Sequence, residues 1–182
     1  MKAEGSARGL VVALANDALH SSLEGIKEPD PPTKLRLKFD GEFLHLETTD
    51  GVILNSFRAN SGRGPHMNNP ESTDVVDYGP IPEGEYFLYL EPGVPAQKSG
   101  GPWGDWGIII NPYLGTRISN KLFENKRFGF FIHEDGNINE SEGLGSAGCI
   151  AICSKKDTHN LWGSLRFYRA LGFSRIDLSV NY

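Results

Sequence analysis

The sequence has only two cysteines, Cys149 and Cys153, which lie four residues apart. If both lie on one extended segment, their Cα atoms are about 13 Å apart at ~3.3 Å per residue, which is beyond the reach of a disulfide. At least one free thiol is therefore expected. Two cysteines without a matching cluster of cysteine and histidine also argue against a structural zinc site, and neither a metal nor another cofactor is predicted.

The chain also lacks an excess of positive charge. Its 18 basic and 23 acidic side chains give a net charge of -5, which argues against nucleic acid as a partner, because binding to the phosphate backbone needs a basic surface. Long hydrophobic runs are missing too. The longest one near the N-terminus, residues 10–15, is shorter than a signal-peptide core and far shorter than a membrane span. We therefore predict no membrane span and no classical signal peptide, so that work outside the cytoplasm needs another export route.

Glycine and proline, in contrast, are plentiful, with 22 and 11 residues in a chain of 182. This composition is typical of a turn-rich, mainly β protein, and the length suits one domain with an extension. Apolar residues at helical spacing predict a helix over residues 7–24, and the charged, proline-rich segment 27–32 predicts a linker. We expect an N-terminal helical extension with its linker at residues 1–33 and a main domain at residues 34–182.

In the main domain the apolar period changes to two. This period predicts a hairpin of strands 35–39 and 43–47 around an Asp40-Gly41 turn. Ser154 and Asp157 have capping-box-like spacing and predict the start of a helix that stops at Gly172. Further strands are predicted at 52–59, 106–111, 128–133 and 176–180, with another that ends at residue 90. The long polar segments 60–77 and 91–105 are predicted to be loops beside the functional site.

The candidate catalytic residues are a histidine and a cysteine at the two ends of a polar, glycine-rich stretch. His133 closes an aromatic run, and Cys149 lies in a Ser-x-Gly-Cys motif. Cysteine attacks as the thiolate, and a free pKa of about 8.5 leaves little thiolate at neutral pH unless a cation or backbone dipoles lower it. A tight turn at residues 146–149 would present backbone N–H groups to an oxyanion, with Gly148 allowing close approach. A purely structural pair is the alternative, because free cysteine is among the most buried residue types.

The order of these residues resembles the signature of the YkuD-type L,D-transpeptidases. The resemblance rests on His133, on SAGCI at residues 146–150 and on the capped helix that follows. The segment GPIPEGEY at residues 79–86 is similar to that family's entry into a core strand, so the likeness covers most of residues 34–182.

Three departures point to a divergent branch. Ala147 stands where most members have histidine, and Ala151 stands where they usually have arginine or asparagine. The loop between His133 and Ser146 is also shorter than is common. Together with the missing signal peptide, these features resemble the L,D-transpeptidase-like toxins that type VI secretion delivers between bacteria.

The resemblance implies a mainly β domain of the α+β class, with a bent, sandwich-like or barrel-like sheet and one helix after the cysteine. It implies a thioester between the cysteine and the third residue of a peptidoglycan stem peptide, with release of the terminal D-alanine. The acyl group then passes to an amine, a D-amino acid or water. Carried over to this sequence, Cys149 is the nucleophile, His133 is the base and imidazolium partner, Gly148 and Cys149 are oxyanion donors, and Ser146 holds the turn.

Substrate binding needs other residues, since Ala151 offers no polar group. Arg58, Arg63 and Arg117 are candidates for binding the substrate carboxylate. Trp103 is a candidate for a substrate wall, whereas a core position is favoured for Trp106.

The leading prediction is a peptidoglycan-modifying cysteine enzyme that acts on tetrapeptide stems as an L,D-carboxypeptidase, by D-amino-acid exchange, or both. We expect it to be a secreted antibacterial effector that acts in the periplasm of a target bacterium, with a cognate immunity protein and a component of the secretion machine as candidate partners. Two alternatives stay open. One is a housekeeping L,D-transpeptidase that cross-links the producer's own wall, and the other is a non-catalytic wall-binding domain.

Overall fold

A computed structural model describes residues 34–91, 96–97, 106–113, 121–122, 124–136 and 145–182. These residues belong to the compact unit that extends from Pro32 to Tyr182. The predicted helix at 7–24 lies outside the described residues, and the domain boundary at residue 33 stays a prediction. Within the described part of the chain, no helix has the length and apolar character that crossing a membrane requires.

The described chain forms ten strands and one long α-helix, and residues 121–122 and 124 are also helical. The strands are β1 (Leu35–Phe39), β2 (Phe43–Thr48), β3 (Ile53–Arg63), β4 (Gly84–Tyr89), β5 (Ala96–Gln97), β6 (Trp106–Ile109), β7 (Asn111–Pro112), β8 (Phe131–Glu134), β9 (Gly145–Ile152) and β10 (Arg175–Val180). The helix is α1 (Lys155–Ala170), and two short 3₁₀ turns, Gly64–His66 and Pro70–Ser72, lie between β3 and β4.

All ten strands belong to one sheet, in the order β5-β6-β8-β9-β3-β2-β1-β10-β4-β7. The β1–β10 and β8–β9 pairs are parallel, and the other pairs are antiparallel. Strand β3 joins the two halves of the sheet, since its first residues pair with β2 and its last with β9. Its register shifts between Ser61 and Arg63 at Gly62, which has φ +78°, and a bulge of this kind bends a strand. The curved, barrel-like sheet with one helix after it confirms the predicted fold class.

The hairpin of β1 and β2 shows how the period of two specifies the core. Leu37 pairs with Leu46 and Phe39 with Leu44, and all four side chains are buried. The turn is held by Asp40, whose Oδ1 accepts hydrogen bonds from two backbone N–H groups of the turn at 3.0 and 2.7 Å. This hairpin matches the prediction in both strands and in the turn.

Three predicted strands differ from the structure. The strand predicted at 128–133 is Phe131–Glu134, which begins three residues later. Strand β3 continues to Arg63, four residues beyond the predicted end, because the polar side chains of Asn60 and Ser61 find hydrogen-bond partners in the fold. The run predicted as one strand at 106–111 is two short strands, separated at Ile110, whose N–H donates to the carbonyl of Phe130 at 2.9 Å. One of these strands pairs with β8 and the other with β4.

The helix α1 begins as predicted. The Oγ of Ser154 accepts a hydrogen bond from the backbone N–H of Asp157 at 3.0 Å. The helix buries one stripe against the sheet, where it contacts β3, β8 and β9; the stripe consists of Thr158, Leu161, Trp162 and Leu165. The chain then turns at Gly172, with φ +100°, and enters β10.

Candidate active site

His133 and Cys149 lie on neighbouring parallel strands and on the same face of the sheet. In the register of β8 and β9, His133 is opposite Ala151. Cys149 precedes Ala151 by two residues on the same strand, so the side chains of Cys149 and His133 lie on the same face of the sheet. Strands about 4.8 Å apart and an offset of two residues put the two Cα atoms about 8 Å apart, a distance that the two side chains can span. The opposite face carries Ile132 and Ile150, which are fully buried in the core.

The histidine is buried and oriented by the backbone. Its exposed fraction is 0%, and its Nδ1 lies 2.6 Å from the carbonyl oxygen of Glu134. Since a carbonyl oxygen only accepts hydrogen bonds, Nδ1 carries the proton, and in the neutral ring Nε2 is then the proton acceptor. His133 is thus held in the tautomer that a general base needs, while Cys149 is half-buried.

The residue before the cysteine has to be glycine. Gly148 has φ +115°, which side chains rarely tolerate, and an added Cβ would lie 2.5 Å from Nη2 of Arg127 and 2.6 Å from Cε1 of Phe130. The missing side chain at Gly148 therefore lets the side chains of Arg127 and Phe130 pack directly against the backbone of β9.

Ser146 lies at the centre of the same segment. Its Oγ donates a hydrogen bond to the carbonyl oxygen of Cys149 at 2.5 Å and accepts one from the N–H of Gly148 at 3.2 Å. The motif is the kinked start of β9 rather than a separate turn. Because the N–H of Gly148 points at Ser146, a role in binding an oxyanion requires that this hydrogen bond be exchanged for one to substrate.

Two polar residues that sequence reasoning missed support this segment. The first is Ser61, which is fully buried and whose Oγ donates to the carbonyl oxygen of Gly148 at 3.0 Å and accepts from the N–H of Ile81 at 2.8 Å. No pattern in the sequence marks it, because residue 61 falls in a segment that reads as a polar loop.

The second is Arg127, which is only 4% exposed. Its Nη1 donates to the carbonyl oxygens of Thr73 and Pro80, the latter at 2.9 Å, and its Nη2 donates to that of Gly79 at 2.7 Å. The guanidinium also lies 5.2 Å from the ring centroid of Phe130. Burial lowers the pKa of Arg127 from its usual value. The side chain of Arg127 joins residues 73–80 to the strand segment that carries the cysteine. In the sequence, the only hint of this structural role is the position of Arg127 before an aromatic run.

Asp135 closes the base of the loop between the two candidate catalytic residues. It is 1% exposed, and its Oδ2 accepts a hydrogen bond from the N–H of Gly145 at 2.9 Å. Its own N–H donates to the carbonyl oxygen of Ile152 at 3.0 Å. The two ends of the segment 136–144 are thereby fixed to each other.

The second cysteine lies in surroundings that disfavour a thiolate. Cys153 is half-buried and accepts a hydrogen bond from Nδ2 of Asn60 at 3.1 Å. Burial, together with the negative charge of Asp135, raises the pKa of the Cys153 thiol to about 11, with Arg58 partly offsetting the rise. A thiol of this pKa is almost entirely neutral at physiological pH.

The candidate substrate-binding residues are less closely grouped. Arg58 is exposed, and its carbonyl oxygen accepts a hydrogen bond from the N–H of Cys153 at 2.9 Å. Because Cys153 lies four residues beyond Cys149, Arg58 is about 13 Å from Cys149 along the strand direction. Arg63 pairs with Gly145, and its guanidinium lies 4.3 Å from the ring centroid of Tyr78. Arg117 and Trp103 lie outside the described residues. The described part of the chain contains no cluster of three or more metal-ligating side chains.

Comparison with known proteins identifies the family. The model of the Tlde1 domain matches residues 55–173, which include both His133 and Cys149. No curated protein sequence matches the chain significantly. Among solved structures, the chain is similar to the L,D-transpeptidase (residues 123–326) from Xylanimonas cellulosilytica DSM 15894, with a TM-score of 0.45 and 15% identity over 90% of this chain and 69% of that one. The family match covers well over half of the sequence and confirms the predicted resemblance to a divergent branch of L,D-transpeptidase-like effectors. The chain belongs to the Tlde1 domain family.

Proposed function

We propose that this protein is a cysteine enzyme that cleaves or exchanges the terminal D-alanine of peptidoglycan tetrapeptide stems. The observation that carries the proposal is the placement of a half-buried Cys149 and a backbone-oriented His133 on one face of two adjacent strands. The family membership supports a substrate in the bacterial wall.

In the first half of the reaction, Nε2 of His133 takes the proton of the Cys149 thiol. The thiolate then attacks the carbonyl carbon of the third stem residue and forms an S–C bond. When the C–N bond to D-alanine breaks, the imidazolium gives its proton to the departing nitrogen. The products of this half are a thioester on Cys149, free D-alanine and a neutral histidine.

In the second half, an acceptor attacks the thioester carbonyl. Water gives the tripeptide and hence carboxypeptidase activity, while the amine of a D-amino acid gives an exchanged tetrapeptide. His133 removes a proton from the acceptor, and when the S–C bond breaks the imidazolium gives this proton to the sulfur, which restores the thiol and the neutral histidine. The same residues therefore serve both outcomes, and the concentration of the acceptor decides between them.

The negative charge that develops on the substrate oxygen in both halves needs backbone donors. The N–H groups of Gly148 and Cys149 are the candidates, provided that the hydrogen bond from Gly148 to Ser146 is exchanged. The hydroxyl of Ser146 keeps its bond to the carbonyl of Cys149 during this exchange, so the strand segment stays in place. Ser146 in this proposal is a positioning residue.

The direct test is an assay on purified tetrapeptide muropeptides, with and without an added D-amino acid, followed by mass spectrometry. Wild-type protein is expected to remove the fourth residue, or to exchange it when the D-amino acid is present. Cys149→Ala and His133→Ala are expected to lose at least about 10³-fold of this activity, by analogy with other nucleophile and base knock-outs. Cys153→Ala is the matched control and is expected to keep it. Identical product profiles for wild type and Cys149→Ala would refute the proposal.

We further propose that the enzyme is an antibacterial effector that reaches the periplasm of a target bacterium through a type VI secretion machine, with a cognate immunity protein in the producer. Family membership supports this role. Expression directed to the periplasm of a test bacterium is expected to stop growth for wild type but not for Cys149→Ala. Toxicity that survives the Cys149→Ala substitution would contradict an effector that works through this thiol.

A further inference from the structure

A chain of hydrogen bonds connects the buried guanidinium of Arg127 to the peptide bond that precedes the candidate nucleophile. Nη1 of Arg127 donates to the carbonyl oxygen of Pro80 at 2.9 Å. The N–H of Ile81, which belongs to the same peptide unit, donates to Oγ of Ser61 at 2.8 Å. Oγ of Ser61 then donates to the carbonyl oxygen of Gly148 at 3.0 Å. The chain therefore ends on the peptide unit whose N–H belongs to the candidate nucleophile.

All the hydrogen bonds of this chain run in one direction. Since an N–H only donates and a carbonyl oxygen only accepts, the hydroxyl of Ser61 accepts from Ile81 and donates to Gly148. Each link thus accepts on the side of Arg127 and donates on the side of Cys149. In a chain of this kind the dipoles add, and each hydrogen bond strengthens the next one.

The chain is shielded from water along its length. Arg127 is 4% exposed, and Ser61, Pro80, Ile81 and Gly148 are all buried. Electrostatic interactions are stronger in such surroundings than in water. The oxygens that accept from the guanidinium are neutral carbonyl oxygens, so its positive charge acts on peptide dipoles at these contacts.

We propose that Arg127 and Ser61 are positioning residues of the oxyanion site, and that they polarise the N–H of Cys149 and fix its direction. In a trans peptide the C=O and N–H bonds point in opposite directions, so the N–H of Cys149 points away from Ser61. Because the peptide bond is conjugated, electron density drawn toward the carbonyl oxygen of Gly148 makes the N–H of the same unit more positive. The proposal rests on the function proposed above and names residues that tune its transition state.

This role differs from that of Ser146. Oγ of Ser146 donates to the carbonyl oxygen of Cys149, which belongs to the following peptide unit, and accepts from the N–H of Gly148. The chain from Arg127 ends instead on the carbonyl that shares a peptide unit with the N–H of Cys149. Ser146 therefore holds the segment, whereas Ser61 acts on the oxyanion donor itself.

The size of the effect follows from two general magnitudes. Loss of one oxyanion donor lowers kcat by about 10²–10³-fold, and a hydrogen bond in a polarised chain is about 10–30% stronger per link. Applied to the logarithm of that loss, this fraction corresponds to roughly a two- to eightfold change in kcat. Since the effect acts on the transition state, KM is expected to stay near its wild-type value.

Kinetics on tetrapeptide muropeptides give the first measurement. Ser61→Ala breaks the chain at its hydroxyl and is expected to lower kcat roughly two- to eightfold with little change in KM. Thr158→Val is the matched control and is expected to keep both parameters. It removes a buried hydroxyl whose hydrogen bond, at 2.9 Å, goes to the carbonyl oxygen of Ser154 at the start of α1. A loss of activity that lies in KM, with kcat unchanged, would contradict the polarising role.

The backbone amide signal of Cys149 gives a second measurement, which needs no turnover. Labelling with ¹⁵N-cysteine gives two backbone amide signals in an NMR spectrum, because the chain contains only two cysteines, and Cys153→Ala assigns them. A more polarised N–H proton resonates at lower field, so Ser61→Ala and Arg127→Gln are each expected to move the Cys149 signal upfield. The Cys153 signal is the internal control, because its N–H donates to a carbonyl oxygen of β3 outside the chain. Thr158→Val is expected to move neither signal.

The outcomes separate the polarised N–H from the reaction. Ser61→Ala and Arg127→Gln break the chain at different links, so the test does not depend on the folding of one variant. If wild type releases no D-alanine but the Cys149 signal moves upfield in these variants, the proposed reaction fails and the polarised N–H stands. A Cys149 signal that keeps its wild-type position in the folded variants would overturn the proposal.

Discussion

Replacing Arg127 by glutamine is expected to destabilise the fold strongly, because its guanidinium holds three backbone carbonyls in a nearly water-free place. The side chain is 4% exposed and donates to Thr73, Gly79 and Pro80. Hydrogen bonds to a charged donor contribute about 1.5–3 kcal/mol each, and relief of the cost of burying the charge offsets part of their loss. We expect a net loss of about 3 kcal/mol in the free energy of unfolding, or about 6–12 °C in melting temperature for a domain of this size.

The assay is urea unfolding followed by tryptophan fluorescence, with thermal unfolding as a second measure. Arg127→Lys is expected to lose roughly half as much, because a single ammonium group cannot reach all the carbonyls that a planar guanidinium serves. Arg166→Gln, at an exposed position on α1, is the matched control and is expected to change stability by less than about 0.5 kcal/mol. If Arg127→Gln were no more destabilising than this control, the reasoning about the buried guanidinium would be refuted.

Three further substitutions test other parts of the site. Gly148→Ala is expected to destabilise the protein by about 3 kcal/mol or more and to abolish activity, since its Cβ would clash with Arg127 and Phe130 at an unfavourable φ; a well-folded, active variant in melting and muropeptide assays would contradict this. Ser61→Ala is expected to cost about 2 kcal/mol in urea unfolding, because the N–H of Ile81 and the carbonyl of Gly148 lose their shared partner, and an unchanged midpoint would count against it. In Cys149→Ala protein, the thiol of Cys153 is expected to react with iodoacetamide at least about tenfold more slowly at pH 8 than a model thiol. Its reaction rate should still rise near pH 11, because burial raises the pKa of Cys153 to about 11. A rate that reaches a plateau below pH 9 would show that this pKa is not raised.

Local patterns predict the parts of this fold that local interactions form. The β1–β2 hairpin follows from alternating apolar residues around Asp40, and the start of α1 follows from Ser154 as its cap. In both cases the residues that interact are within a few positions of one another along the chain, so spacing alone carries the information.

Contacts between distant segments are not visible in the same way. Arg127 reaches a carbonyl 48 residues away, and Ser61 reaches one 87 residues away. Neither residue has a periodic or motif context, because its partners are backbone atoms that any residue could supply. The parallel pairing of β8 with β9, which places His133 and Cys149 on one face, likewise depends on the complete sheet.

The prediction of a turn at segment 146–149 is wrong. Serine and glycine around the cysteine are typical of a turn, and Gly148 does have a positive φ. In the structure this glycine kinks a strand instead, because β3 pairs with the residues on both sides of it and Arg127 occupies the space where a side chain would be. The order of histidine and cysteine, by contrast, needed no tertiary information to be noticed.

The most direct test of the central claim is to trap the acyl-enzyme. Protein mixed with a tetrapeptide muropeptide is quenched in acid within the first turnover, and the intact mass and the peptide map are measured by mass spectrometry. We predict an adduct whose mass equals that of the muropeptide minus free D-alanine. It is expected on the peptide that contains Cys149, in wild type and Cys153→Ala, and to be absent from Cys149→Ala. Release of D-alanine with the adduct on Cys153, or undiminished release from Cys149→Ala, would contradict the account.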